Sequence, residues 1–157
     1  MFERLRPMLT VLRVAIVTTS LGGVTLNDGE VAVEVRSTSE AEDRAFLQLF
    51  VRLQGGRAGF NGYNVTWSPS LGWAALRRMR EGEGTTLAER TDLPPVSLAD
   101  GATVAVRVQG PTFWLLVNGD VLLSGTDPAE DAIDSGRLGL GVIREGHTDD
   151  DDELRVT

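Results

Sequence analysis

The chain has 157 residues, 41% of them hydrophobic and 24% charged, and this composition predicts a single globular domain over residues 1–157. It contains no cysteine, which excludes disulfides, cysteine nucleophiles and thiolate metal sites. Its fifteen basic residues, all arginine, face twenty-three acidic residues, and the net charge of −8 argues against nucleic acid and anionic membranes as partners.

The N-terminal segment, residues 1–27, carries two opposing signals. Arg4 and Arg6 resemble the basic start of a signal peptide, but Arg13 interrupts the apolar stretch that should follow. The β-branched residues from Thr10 to Thr19 therefore predict a first strand, and the segment is expected to form an extra strand or an arm. No stretch of the chain reaches the ~18 apolar residues of a membrane-spanning helix, so no membrane insertion is expected.

Two segments then alternate between apolar and polar side chains with the period of two that is typical of half-buried strands. In residues 30–36 the valines share one face: Val31, Val33 and Val35. In residues 46–53 one face is expected to carry Leu47, Leu49, Val51 and Leu53, and the other Phe46, Gln48, Phe50 and Arg52. Each segment is predicted to bury its aliphatic face in a core.

Residues 61–78, NGYNVTWSPSLGWAALRR, hold two of the three tryptophans and the only tyrosine of the chain. A strand over residues 60–68 places Tyr63, Val65 and Trp67 on one face, with Asn64 and Thr66 on the other. In the strand that follows, one face is predicted to carry Trp73, Ala75, Arg77 and Met79.

The second half of the chain predicts a three-strand meander over residues 102–124. Asn118-Gly119 between two apolar runs favours a hairpin with a type I′ turn, which needs positive φ at both positions. A further strand is predicted in GRLGLGVIR, and ELRVT at the C-terminus could close the sheet. The main helical signal is DPAEDAID, residues 127–134, where Asp127 could cap one short turn. About ten to twelve short strands favour a sandwich or barrel.

The order of these segments resembles the concanavalin A-like jelly roll, in particular bacterial laminin G-like domains. The resemblance rests on DGEVAVEVR, FLQLFVRL, NGYNVTWS and GWAALRR, followed by DGATVAVRVQGPTFWLLVNGDVL, SGRLGLGV and DDELRVT. It covers residues 28–157, whereas residues 1–27 and the Glu153-Leu154 pair are atypical of these domains. It implies an all-β, two-sheet antiparallel jelly-roll sandwich with one concave face. It also implies binding to carbohydrate or to a protein surface more often than catalysis.

Some relatives of this fold hydrolyse glucans with alternating acids on one strand, and the nearest match is Glu30-Val31-Ala32-Val33-Glu34. Ala32 stands where the central aspartate belongs. Residues four apart on a strand lie ~13 Å apart, beyond the ~5–9.5 Å of glycosidase carboxylate pairs. His147, the only histidine, has no cysteine partner. A glycan-processing enzyme is therefore the third alternative, and no catalytic residue is assigned.

Two acidic groups are candidates for binding calcium, which takes about six to eight oxygen ligands. One group is the run Asp149, Asp150, Asp151 and Asp152, followed by Glu153. The other is Asp127, Glu130, Asp131 and Asp134. Consecutive aspartates more often form a solvated, self-repelling segment, and that interpretation is favoured here. No other cofactor is expected.

Trp73, Arg77 and Asn64 are the candidate ligand-binding residues. Sugar sites combine an aromatic ring, which stacks on a pyranose, with Asn or Arg side chains that bond the hydroxyls. Asn61 is the alternative to Asn64, and Tyr63 and Trp67 are expected in the core. For Trp73 and Arg77 a second interpretation stays open, in which they simply pack together at a sheet edge.

The leading prediction is a non-catalytic module that binds carbohydrate or another surface ligand through the concave sheet face. The alternative is a structural or assembly protein, such as a virion or cell-surface subunit. Its partners would be copies of itself or assembly neighbours, and residues 1–27 would act as the donated arm. An extracellular, cell-surface or virion location is favoured over the cytoplasm.

Overall fold

The computed structural model describes residues 9–18, 27–37, 45–55 and 59–144 of the chain. These ranges contain ten β-strands. Side chains are described for residues 27–36, 46–55 and 59–139. The strands are β1 (Leu9–Thr18), β2 (Gly29–Ser37), β3 (Ala45–Gly55), β4 (Phe60–Ser68), β5 (Trp73–Arg80), β6 (Glu83–Arg90), β7 (Ala102–Gln109), β8 (Thr112–Val117), β9 (Asp120–Thr126) and β10 (Arg137–Arg144). In these ranges no helix is long and apolar enough to cross a membrane.

The strands form two five-stranded sheets, with the order β1-β2-β7-β8-β9 in sheet A and β10-β3-β4-β5-β6 in sheet B. Every neighbouring pair is antiparallel, and strands distant in sequence become neighbours where β2 pairs with β7 and β3 with β10. The predicted all-β, two-sheet antiparallel sandwich is thereby confirmed. The first strand predicted at Thr10 to Thr19 is β1, and it pairs with β2 of its own chain.

The core lies between the facing sides of the two sheets. The valines of β2 and β7 fill sheet A's side, as their alternation predicts: Val31, Val33, Val35, Val104, Val106 and Val108. On sheet B's side Tyr63 and Trp67 are 0% and 2% exposed, which confirms that they belong to the core. The centroid of the Tyr63 ring lies 4.3 Å from the centroid of the Phe113 ring in β8, so the two sheets are in contact through these aromatic side chains.

The β8–β9 hairpin has the predicted turn. Asn118 and Gly119 take φ values of 51° and 87°, the positive angles that a type I′ turn requires at both positions. The Asn118 side chain also accepts a hydrogen bond of 3.0 Å from the backbone N–H of Thr103, which ties the turn to β7. Strands β7, β8 and β9 therefore form the expected meander.

The alternation in β3 predicted that Arg52 lies on the outer face beside Phe50. This prediction is wrong, because Arg52 is buried on the inner side. The pairing of β3 with β4 shifts between Val51 and Gln54, and Arg52 has a φ of 53°. Such a bulge reverses the direction of a side chain. The buried guanidinium donates to the carbonyl oxygens of Asn27 at 2.6 Å and Ile133 at 2.9 Å, which replace the water it loses.

The segment after β9, residues 127–136, forms one turn and no helix. Asp127 accepts a hydrogen bond from Ala129 N at 3.0 Å, as its predicted capping role requires, and Ala132 N donates to Ala129 O at 3.2 Å. The turn does not extend, because the N–H of Ile133 donates to the Tyr63 hydroxyl instead of to the turn. The strand predicted in GRLGLGVIR is β10, whereas ELRVT and the rest of residues 145–157 lie outside the described residues.

Candidate ligand-binding face

The outer face of sheet B presents side chains in three rows that run across its strands. The strand registers define them, with Ser68 opposite Trp73, Thr66 opposite Ala75, and Asn64 opposite Arg77. We call them the aromatic row (Phe46, Ser68 and Trp73), the middle row (Gln48, Thr66, Ala75 and Glu89) and the arginine row (Phe50, Asn64, Arg77 and Thr86). The predicted residues Trp73, Arg77 and Asn64 thus lie on one face of one sheet.

Trp73 is held in place by three contacts and remains half-buried. Its indole N–H donates a 2.7 Å hydrogen bond to a carboxylate oxygen of Glu89. The ring of Phe46 meets the indole in an edge-to-face arrangement with centroids 5.7 Å apart. The guanidinium carbon of Arg77 lies 6.0 Å from the indole centroid, within the range of a cation–π contact. The ring orientation is therefore set before any ligand arrives.

Glu89 is a member of the site that the sequence pattern did not indicate. Apolar and polar side chains alternate only weakly along β6. The pairing of β6 with β5 shifts between Leu76 and Arg77, and this shift decides the face on which Glu89 lies. The next residue, Arg90, donates to the carbonyl oxygen of Leu122 in sheet A at 2.9 Å. This bond anchors the end of β6 that carries Glu89.

Asn64 and Thr66 are buried in the floor of the face, at 6% exposure each. The hydroxyl of Thr66 donates to the side-chain oxygen of Asn64. That bond occupies the amide oxygen, so the NH₂ group of Asn64 is the part left for a ligand. Asn61, the alternative to Asn64, lies elsewhere, because its side chain accepts a 2.8 Å hydrogen bond from Glu81 N in the β5–β6 turn.

Ser68 lies in the aromatic row between Phe46 and Trp73 and has no exposed surface. Its hydroxyl is the one buried side-chain polar atom that lacks a hydrogen-bond partner in the described part of the chain. An unsatisfied buried hydroxyl costs about 1–3 kcal/mol, and native proteins keep few of them. The aromatic row therefore has a buried hydroxyl at its centre.

Arg77 is exposed and forms no ion pair or hydrogen bond with any described residue. Most of the other arginines with described side chains form ion pairs: Arg52, Arg78, Arg80, Arg90 and Arg107. The guanidinium of Arg77 thus has no ion-pair partner among the described residues, and it lies beside the aromatic ring of Trp73.

The acidic residues considered for catalysis, Glu30 and Glu34, lie away from this face. Glu30 is on sheet A, where its carboxylate pairs with Arg107 at 3.0 Å, and Glu34 is exposed on the same strand. Asp127 is bonded by Tyr63 and Arg78. No group of three or more potential metal ligands occurs in the described ranges. His147 and the run Asp149, Asp150, Asp151 and Asp152 lie outside them, and calcium binding there stays a prediction.

Comparison with known proteins finds similarity in structure and none in sequence. No protein-family model and no curated protein sequence matches the chain. The structure is similar to that of sheep galectin-11 in complex with glycerol, with a TM-score of 0.53, 10% sequence identity, and coverage of 87% of this chain and 96% of that one. It is also similar to the carbohydrate-binding module CBM66 from Bacillus subtilis, with a TM-score of 0.48, 12% identity and 87% of each chain covered.

At such low identity the likeness to sheep galectin-11 carries information about the fold and not about the ligand. It confirms the two-sheet jelly-roll sandwich. The finer assignment to concanavalin A-like or laminin G-like domains stays a prediction.

Proposed function

We propose that this protein is a non-catalytic carbohydrate-binding module that holds its ligand on the outer face of sheet B. The observation that carries this proposal is the half-buried indole of Trp73, fixed by Glu89 and placed beside the free guanidinium of Arg77. Sugars offer an apolar ring face together with hydroxyl groups, and an aromatic ring bordered by polar groups is complementary to both. The predicted jelly-roll resemblance supports the same class of ligand.

Each residue has a distinct role in the proposed complex. Trp73, which is only half-buried, stacks through its indole on the apolar face of a sugar ring. Arg77 and the amide of Asn64 donate hydrogen bonds to ligand oxygens. Glu89, whose carboxylate already accepts the indole N–H, has further acceptor capacity for a sugar hydroxyl.

The proposed role is non-catalytic because the described face lacks a pair of acids. In its three rows Glu89 is the only carboxylate, whereas glycoside hydrolysis by the common mechanisms needs two carboxylates flanking the scissile bond. Glu30 and Glu34, the acids that most resemble a glucanase motif, project from sheet A instead.

A glycan array tests the proposal with wild type, Trp73→Ala and Trp114→Ala. Trp114 is a matched control because it is also half-buried but belongs to β8 in the other sheet. We expect wild type and Trp114→Ala to bind the same glycans, and Trp73→Ala to bind them roughly tenfold or more weakly. Circular dichroism establishes that both variants are folded. Absence of any bound glycan, or equal binding by both variants, would overturn the proposal.

A further inference from the structure

The polar groups around Arg77 are mainly hydrogen-bond donors. Arg77 pairs in register with Asn64 on β4 and with Thr86 on β6. Directly opposed residues on antiparallel strands have Cβ atoms about 4.5–5.5 Å apart, so Asn64 and Thr86 each lie next to Arg77 on this face. Arginine offers only donors, and the hydroxyl of threonine can either donate or accept.

Asn64 adds donors to this group because of its orientation. Its side-chain oxygen accepts the hydroxyl of Thr66 in the middle row. Its NH₂ group has no hydrogen-bond acceptor in the described part of the chain, and Asn64 retains 6% exposure on this face. The donors of Arg77 and Asn64 therefore belong to directly opposed residues on the same face of the sheet.

The chain has an excess of acids, yet none of those in the described ranges is bonded to Arg77. Arg80, on the same strand, pairs with Asp131 at 3.2 Å, and Arg78 pairs with Asp127 at 2.7 Å. Glu89, the only acid of the three rows, accepts the indole N–H of Trp73. A positive charge beside extra donors, without a counter-ion among the residues that the structure describes, is complementary to an anion.

We propose that Arg77 and Asn64 bind an anionic group of the ligand, a carboxylate or a sulfate, so that the ligand is an acidic glycan. This inference rests on the proposed function and specifies its ligand class. The planar fork of arginine matches two oxygens of either anion, and Asn64 supplies a further donor to the same group. The net charge of −8 repels polyanions at long range, but at ~0.15 M salt this repulsion is screened beyond about 8 Å.

The test compares acidic glycans with neutral glycans of the same backbone on one array. Oligogalacturonate and its methyl ester form the carboxylate pair, sulfated and unsulfated dextran oligosaccharides form the sulfate pair, and a panel of neutral glycans completes the set. We expect at least one acidic member to bind and its neutral partner to bind roughly 10- to 100-fold more weakly, as loss of a charge-assisted hydrogen bond predicts.

Variants of Arg77 give the second arm of the test. Arg77→Gln should lose roughly 10- to 100-fold in affinity for the acidic glycan, while Arg77→Lys should keep more of it because the charge remains. Arg107→Gln is the matched control, since it removes the same charge from the outer face of the other sheet, and it should bind as wild type does.

The outcomes separate this inference from the proposed function. Binding only to neutral glycans, or acidic-glycan binding that Arg77→Gln leaves unchanged, overturns the anionic ligand and leaves a carbohydrate-binding module standing. Failure of every glycan to bind overturns both. Selective binding to the carboxylate pair or to the sulfate pair identifies which anion is recognised.

Discussion

The hydroxyl of Tyr63 donates a 2.7 Å hydrogen bond to the carboxylate of Asp127, and this bond joins the two sheets at one end of the sandwich. Tyr63 belongs to β4 of sheet B, and Asp127 follows β9 of sheet A directly. The same hydroxyl accepts the N–H of Ile133 at 3.0 Å, and Arg78 donates to the other carboxylate oxygen at 2.7 Å. The core between the two sheets is thus closed at this end by a polar network.

We expect Tyr63→Phe to lower the free energy of unfolding by roughly 1–3 kcal/mol. The substitution keeps the ring but leaves the N–H of Ile133 and one Asp127 oxygen without their partner in a buried place. Denaturant unfolding measures the change. Thr126→Ala is the control, because its hydroxyl bonds Thr112 at an exposed position, and its effect should stay within about 0.5 kcal/mol. Equal stabilities for Tyr63→Phe and wild type would contradict the role of the network.

Asp127 should make stability fall as the pH is lowered. Burial by itself raises the pKa of Asp127, but hydrogen bonds from Tyr63 and Ala129 N, together with the charge of Arg78, bring that pKa below its ordinary value. A depressed pKa in the folded state contributes stability above the unfolded value of about 4, and this contribution is lost as the pH falls through the folded pKa. Urea unfolding of wild type and Asp127→Asn measures it. The variant should show a smaller decline below about pH 4 than wild type.

Tyr63 should ionise only at very high pH. Burial first, and then its hydrogen bond to Asp127, raise the pKa of Tyr63 to about 12. Because Tyr63 is the only tyrosine in the chain, the ultraviolet absorbance of phenolate reports on it alone. We expect half-ionisation near pH 12 in the folded protein and near pH 10 in denaturant. The contribution of this group to stability should be fully present below about pH 10 and be lost as the pH rises toward 12. Half-ionisation of Tyr63 near pH 10 in the folded protein would contradict the burial and hydrogen bonding of its hydroxyl.

Arg52→Leu should lower the free energy of unfolding by roughly 2–4 kcal/mol. The guanidinium supplies the donors for the carbonyl oxygens of Asn27 and Ile133, and leucine leaves both without that bond. Thermal unfolding monitored by circular dichroism measures the loss. Arg36→Leu is the control, since Arg36 is exposed and makes a single 3.5 Å bond to the carbonyl of Asp100. A loss no larger than that of Arg36→Leu would show that Arg52 is not a structural anchor.

Glu89→Ala should weaken glycan binding roughly 2- to 10-fold without a measurable change in stability. Glu89 is exposed, so its removal opens no cavity, but the indole of Trp73 loses the acceptor that orients it. Calorimetric titration with a glycan identified on the array measures the affinity. Glu83→Ala is the matched control, because Glu83 is exposed on the same strand and lies at its opposite end. Unchanged affinity in Glu89→Ala would remove Glu89 from the site.

Much of the fold follows from local sequence patterns. The alternating valines of β2 and β7 identify strands and their buried faces, because the side-chain period of a strand is two. Asn118-Gly119 identifies a hairpin, since few other residue pairs tolerate positive φ twice in succession. The same alternation assigns Tyr63 and Trp67 to the core and places Trp73 and Arg77 on one face of β5.

Other features were decided only by the tertiary structure. A bulge in β3 turns Arg52 inward, and a register shift in β6 brings Glu89 to the indole of Trp73. The pairing of Asn64 with Arg77 likewise depends on how β4 aligns with β5. Within one strand, the sequence by itself determines which residues share a face, because that follows from the geometry of consecutive peptides. Register and bulges depend on packing between segments that are distant in sequence, and only the assembled sandwich sets them.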